Sequence, residues 1–308
     1  MQIRKGTKED IPGIIDLLRL SLGESLIPKS EELWRWKHVE NPFGASPVLL
    51  AEEGGQLVGI RAFLKWEYRF QSKTISACRA VDTAVHPDFQ GKGIFTTLTL
   101  QLIEEIKKDG VDLIYNTPNT KSTPGYLKMG WEKWGKLPIQ LSWNWGSFFY
   151  KNQKNQLEDW SNLHSLIEKL ESNFLGSESV KTNLTPGYIF WRYRDCPLFD
   201  YQFLSDKETY LLIYRIKNNS WGRELRICDY FYLEKPDPKK VNKDLKEAHR
   251  NSGARWVSTS GLFKDQGINL NLAPNLPLGP LVTLRKMKEE LDPNALPWAW
   301  SLGDLELF

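Results

Sequence analysis

The chain has 308 residues, about twice the length of an ordinary domain, so two units of similar size are expected. It is 41% hydrophobic and 26% charged, a globular composition that excludes collagen-like and disordered chains. The net charge of +3 gives no broad field for capturing nucleic acid, no apolar run is long enough to span a membrane, and the start lacks the apolar core of a signal peptide. A cytoplasmic protein is therefore the expectation. Cys78, Cys196 and Cys228 lack the spacing of a redox or zinc pair and read as buried apolar residues. The 13 tryptophans fit core packing or an aromatic wall for a substrate.

In chain order, Gln2 to Arg4 predicts a short strand, and Thr7 can cap a helix carrying Ile11, Ile14, Ile15, Leu17, Leu18 and Leu20 at near-helical spacing. A second helix is predicted over Ser30 to Glu40, stopped by Asn41-Pro42-Phe43-Gly44. Val48 to Glu53 and Gln56 to Phe70 flank Gly54-Gly55, a hairpin signal, and Thr74 to Val85 extends the sheet. Thr96 to Lys108 is an amphipathic helix stopped by Asp109-Gly110, Val111 to Tyr115 a buried strand, and Ser122 to Met129 a short helix. Together they place a β-α-β crossover in an otherwise antiparallel sheet.

The second half echoes the first. Leu33-Trp34-Arg35-Trp36-Lys37 ahead of Pro42 returns as Phe190-Trp191-Arg192-Tyr193-Arg194 ahead of Pro197. The helix end, glycine and strand at Lys107 to Ile114 return at Arg250 to Val257, and Leu137-Pro138 with Ser142 returns as Leu296-Pro297 with Ser301. Three anchors in one order predict a duplicated unit. Lys151 to Ser161 reads as the linker, Leu157 to Leu175 as a helix opening the second unit, and Trp298 to Asp304 as a half-buried strand. Facing the cleft between units, Asp304 could bind a cationic or hydroxyl acceptor.

The loop Gln90-Gly91-Lys92-Gly93 joins a strand to a helix start, where unpaired N–H groups and the helix dipole attract anions. An ordinary tight turn is the plainer alternative, and the loop fits neither the P-loop nor the three-glycine dinucleotide pattern. At Gln90 to Phe95, preceded by Val85-His86-Pro87, the sequence resembles the GNAT acyltransferase superfamily, whose loop reads Gln or Arg, two residues, Gly, one residue, Gly or Ala. Asn119, followed by Tyr126-Leu127-Lys128-Met129-Gly130-Trp131, is similar to that family's second signature, and the likeness covers about residues 1 to 145. Phe95 departs from the usual small residue, so its ring must turn from the ligand, and Pro124-Gly125 blurs the start of the second helix. The second half offers Glu234-Lys235-Pro236-Asp237-Pro238-Lys239-Lys240 at the equivalent place, where two prolines remove backbone donors.

The resemblance implies a mixed α/β fold of two GNAT-like units: an acyl-CoA-binding catalytic domain over residues 1–145 and a degenerate one over 146–308. It also implies acetyl-CoA as acyl donor and a small-molecule amine, such as an amino sugar, as acceptor. Tyr126 would be the general acid for the departing thiolate, Thr83, Ala84 and Val85 would pair with the pantetheine arm, and Asn119 would hydrogen-bond the cofactor. Gln90, Gly91, Lys92, Gly93, Ile94, Phe95 and Thr96 would surround its phosphates. Asp82, in the apolar run Ala80 to Val85, is the candidate base, or else a carboxylate satisfied by its neighbours. His38, His86, His164 and His249 show no metal-like spacing and read as surface or capping groups, and no metal is expected. Aminoacyl transfer of the Fem type and a non-catalytic CoA-binding role remain alternatives, and a homo-oligomer is compatible with the sequence.

Overall fold

The computed structural model describes residues 1–23, 27–143, 159–172, 178–266, 268 and 274–305. Its first sheet grows from the Gly54-Gly55 hairpin, where both glycines adopt positive φ (59° and 79°), as a two-residue turn of this kind requires. The turn joins β2 (Val48–Glu53) to β3 (Gln56–Phe70). β1 (Gln2–Lys5) pairs with β2, β4 (Lys73–Val85) runs antiparallel to β3, and β5 (Leu113–Asn116) lies parallel to β4.

Helices cover both faces. α1 (Ile11–Leu22) buries Ile11, Ile14, Ile15, Leu17 and Leu18 and leaves Leu20 exposed, because a helix this short can turn only one stripe inward. α2 (Glu31–His38) starts where the Ser30 hydroxyl accepts from the Leu33 N–H. α3 (Ile94–Lys108) packs Leu98, Leu102, Ile103 and Ile106 against the opposite face. α4 (Thr123–Lys128) then leads to β6 (Glu132–Lys136) and β7 (Ile139–Trp143).

The second half shares part of this order, three antiparallel strands followed by a helix and a parallel strand. α5 (His164–Ser172), preceded by a 3-10 turn at Trp160–Leu163, replaces the longer helix predicted there. The rest of that predicted helix, and the linker up to residue 158, lie outside the described residues. β8 (Lys181–Thr182) is followed by a π-helical turn at Phe190–Arg194 and by β9 (Gln202–Ser205), β10 (Tyr210–Asn219) and β11 (Gly222–Tyr232). α6 (Pro238–Ser252), β12 (Trp256–Ser260), β13 (Leu281–Lys286) and α7 (Leu302–Leu305) complete the chain as described.

Neither sheet is made from one half alone. The first runs β1-β2-β3-β4-β5-β13-β6, with β8 also paired to β3, and the second runs β7-β12-β11-β10-β9. β13 thus wedges between β5 and β6, antiparallel to both, while β7 crosses to pair with β12. A division at residue 145 separates the sequence, but each sheet draws strands from beyond it. The echoed aromatic clusters meet where the halves join. Trp36 and Trp191 stack with ring centroids 5.0 Å apart, and each indole N–H donates to the other's backbone carbonyl at 2.7 Å.

The predicted strand over Trp298 to Asp304 is not one. Trp298 makes an isolated bridge with Val180, residues 302–305 form α7, and all of residues 298–305 are buried. Alternating apolar residues there bury both ways, because the segment lies between the halves and not on a sheet face.

Candidate active site

The loop between β4 and α3 turns on two glycines and leads straight into the helix. Gly91 (φ 76°) and Gly93 (φ 78°) sit in the left-handed region, which glycine enters without strain, and Gly93 is the residue at the start of α3. The N–H groups of Ile94, Phe95 and Thr96 precede the first intrahelical bond, which runs from Thr97 N–H to the Gly93 carbonyl at 3.0 Å. Gln90 reaches back to the Val85 carbonyl at 3.4 Å, and the Lys92 ammonium lies over the Phe89 ring at 4.3 Å.

Beside this loop the sheet opens. β4 pairs with β5 only at Ala77 to Arg79, so from Ala80 onward its outer edge has no strand neighbour among the described residues. The opening is a cleft of about 480 Å³, lined by Ala80 to Thr83, by Asn116 to Asn119 and by Phe95, Gly125 and Tyr126. Unpaired backbone on a splayed strand is a natural partner for an extended amide-bearing chain. Thr83 lines the cleft and is half-buried, whereas the buried Ala84 and the half-buried Val85 are not among its lining residues.

Tyr126 is one of the residues that line the cleft. α4 carries Tyr126 inward, its ring edge-on to Phe95 (5.5 Å) and to Trp131 (5.1 Å). The Phe95 ring turns onto α4, as its size demands, and a side chain at Gly125 would meet it at 3.1 Å, which explains a glycine in the first turn of that helix. The Asn119 side-chain oxygen accepts from the N–H groups of Lys121 (3.0 Å) and Ser122 (2.9 Å) in the turn ahead of α4. Only its amide nitrogen is left to reach a cofactor.

Asp82 lies at a bulge. Arg61 faces Thr83 and Ala62 faces Val81, so Asp82 is skipped by the ladder and takes φ 41°. Its Oδ2 accepts from the Lys37 ammonium at 2.6 Å and from His38 Nε2 at 2.8 Å, while His38 Nδ1 meets the Ser46 hydroxyl at 2.8 Å. Burial alone would raise the Asp82 carboxyl, but the Lys37 charge and the His38 hydrogen bond outweigh it and hold it well below the usual carboxylate range. Burial also lowers His38, against the pull of Asp82, which favours the neutral ring. An ionised carboxylate only accepts, which places the ring hydrogen on Nε2 and leaves Nδ1 to accept from Ser46. So held, Asp82 stays ionised, with Lys37 as its counter-charge.

Two sequence readings change here, and one residue comes to light. His38, read as a surface or capping group, is buried against Asp82. Asp304, considered for acceptor binding, is buried and bonded to Thr182 Oγ1 and to the Ser301 N–H, so it cannot face an acceptor. Arg61, not singled out at all, is fully buried and donates from Nη1 to the Tyr126 hydroxyl at 2.9 Å and to Thr83 Oγ1. Its signal was available, because an arginine inside the apolar run Val58 to Leu64 is costly unless it has a task. The partnership of Lys37, His38 and Asp82 had no comparable signal.

Among the described residues no cluster of His, Cys, Asp and Glu could hold a metal ion, and no helix is long and apolar enough to cross a membrane. No curated protein matches the chain. Solved structures are similar in fold across nearly its whole length. A GCN5-related N-acetyltransferase from Anabaena variabilis ATCC 29413 is 16% identical, with 93% of this chain and 73% of that one covered and a TM-score of 0.66. A GCN5-related N-acetyltransferase from Kribbella flavida is 14% identical over 92% and 71% of the two chains, with a TM-score of 0.60. Eis1 from Mycobacterium abscessus is 13% identical over 94% and 74%, with a TM-score of 0.54. Residues 2–134, which hold the loop, the cleft and Tyr126, match the family described as acetyltransferase (GNAT) domain, and that match supports an enzyme of the GNAT type.

Proposed function

We propose that this chain is an acyl-CoA-dependent N-acyltransferase that uses acetyl-CoA to acylate a small amine, an amino sugar being one such acceptor. The observation that carries the reading is a single cleft bounded by an unpaired β4 edge, a glycine-started α3 and Tyr126. Bound acetyl-CoA would supply the activated thioester. The α3 N–H groups and Lys92 would hold its pyrophosphate, the backbone of Thr83 to Val85 its pantetheine arm, and Asn119 Nδ2 a further polar group. Tyr126 would give its proton to the leaving sulfur, and Asp82 would draw a cationic amine into the cleft.

In this reading residues 1–145 supply the donor site and residues 146–308 form a degenerate GNAT-like unit. The partly shared order of elements and the reciprocal Trp36–Trp191 bonds support the duplication, and Pro236 and Pro238, which carry no N–H, support the loss of a phosphate loop. The reaction fits a cytoplasmic enzyme supplied with acyl-CoA. Calorimetry with acetyl-CoA, followed by thiol release across amino sugars, polyamines and peptide amines, tests it. We expect acetyl-CoA to bind and at least one amine class to drive release; absence of any CoA binding overturns it.

A further inference from the structure

We infer that Arg61 is the positioning residue of the transfer step: it directs the Tyr126 hydroxyl proton toward the leaving sulfur and supplies positive charge to the departing thiolate. This rests on the acyl-transfer reading and adds to it a residue outside the loop and helix signatures. Arg61 has no solvent exposure, and no carboxylate among the described residues pairs with it. Only Nη1 is engaged; Nε and Nη2 are buried without an acceptor. The guanidinium is packed among aromatic rings instead, with Cζ at 4.7 Å from the Phe63 centroid, 5.3 Å from Tyr126 and 5.7 Å from Phe95.

Ring faces offset only a small part of the cost of burying a charge, well short of what an isolated buried ion costs. As mere filling, Met or Leu would serve better at this position. A cation fixed in a dry wall is instead worth most when negative charge develops beside it, because nothing must reorganise at that moment. The geometry names the place. Arg61 donates to the Tyr126 oxygen, so that oxygen is the acceptor of this bond and its own hydrogen is free for another partner. As the amine nitrogen forms its bond to the acyl carbon, the C–S bond breaks with its electron pair on sulfur. The phenolic proton then moves to sulfur, giving the free thiol, and the proton lost by the amine returns to the phenolate through solvent.

The test compares wild type with Arg61→Met and Arg61→Lys. Calorimetry at pH 9 measures the affinity for CoA against desulfo-CoA, a readout independent of turnover. Wild type should favour CoA by about tenfold and Arg61→Met should lose that preference, with Arg61→Lys keeping part of it. In the thiol-release assay Arg61→Met should lower kcat by about 100-fold with KM for acetyl-CoA little changed. In a Tyr126→Phe background, itself slowed by about 100-fold or more, Arg61→Met should cost little further, because both groups serve one sulfur. A full additive loss in that background, or an unchanged CoA preference in Arg61→Met, overturns the role. Where Arg61→Met does not fold, Arg61→Lys decides: a retained CoA preference supports the charge role, and a Lys variant that loses it while keeping its fold overturns it. If wild type turns over and the Arg61 variants match it, only this role fails; if wild type neither binds CoA nor releases it, the acyl-transfer reading fails first.

Discussion

The two strand-helix-strand regions of this molecule use one scaffold for opposite ends. In the first, β4, α3 and β5 leave a cleft open; in the second, β11, α6 and β12 have the same order and the same parallel pairing, and the space at their ends is filled. Both antiparallel partners carry a bulge: β4 skips Asp82, and β11 skips Cys228, since Ile213 faces Asp229 and Tyr214 faces Ile227. The chain's own segment at residues 300–303 closes the second. Ser260 donates to the Trp300 carbonyl at 2.6 Å, and Gly303 packs so tightly on Asp229 and Tyr193 that no Cβ would fit. A splayed pair of strands is therefore only a potential binding site; what fills it decides its use.

Three substitutions probe that contrast. The largest effect is expected in the open region. Asp82→Asn leaves the Lys37 ammonium buried beside a neutral amide, and breaking such a pair costs about 3–5 kcal/mol, read as a lower melting temperature. Among folded molecules, the KM for the amine should rise more than kcat falls; a collapse of kcat at unchanged KM would instead restore Asp82 as the base. In the filled region, Gly303→Val forces a side chain into Tyr193 and Asp229 and should cost about 1–3 kcal/mol, read by denaturant unfolding. Unchanged stability would mean that the segment is not wedged as described.

The smallest effect is a pH dependence. Burial, aided by the nearby Asp304 charge, pushes the Asp229 carboxyl up to about 8, and burial raises Asp304 as well. A carboxyl raised in the fold binds its proton more tightly there than in the unfolded chain. Its stabilising contribution is thus full below the unfolded value of about 4 and is lost as pH rises toward about 8. The melting temperature should fall across that window, and Asp229→Asn should flatten the fall. A wild-type profile already flat between pH 5 and 8 would contradict it.

Much of the first region was legible because its signals are local. The Gly54-Gly55 turn, the stripe on α1, the two glycines before α3 and the spacing from Asn119 to Tyr126 each describe neighbours along the chain, and each stands where it was expected. The strand exchange was not legible, since an alternation such as that in Ile139–Trp143 marks a strand without naming its sheet. The same limit applies to Trp298 to Asp304, whose alternation predicts a strand and whose surroundings bury it on all sides.

The sequence by itself determined the local pieces of the first half: its helices and hairpin, where the backbone needs glycine, and a glycine loop where the other half carries prolines. Only the tertiary structure decided that Arg61 lies under Tyr126, that Lys37 and His38 fix Asp82, and that residues 300–303 close the second cleft. The reason is physical. Turn and helix preferences are set by each residue and its near neighbours, whereas the worth of a buried charge depends on groups that become neighbours only when the sheets assemble.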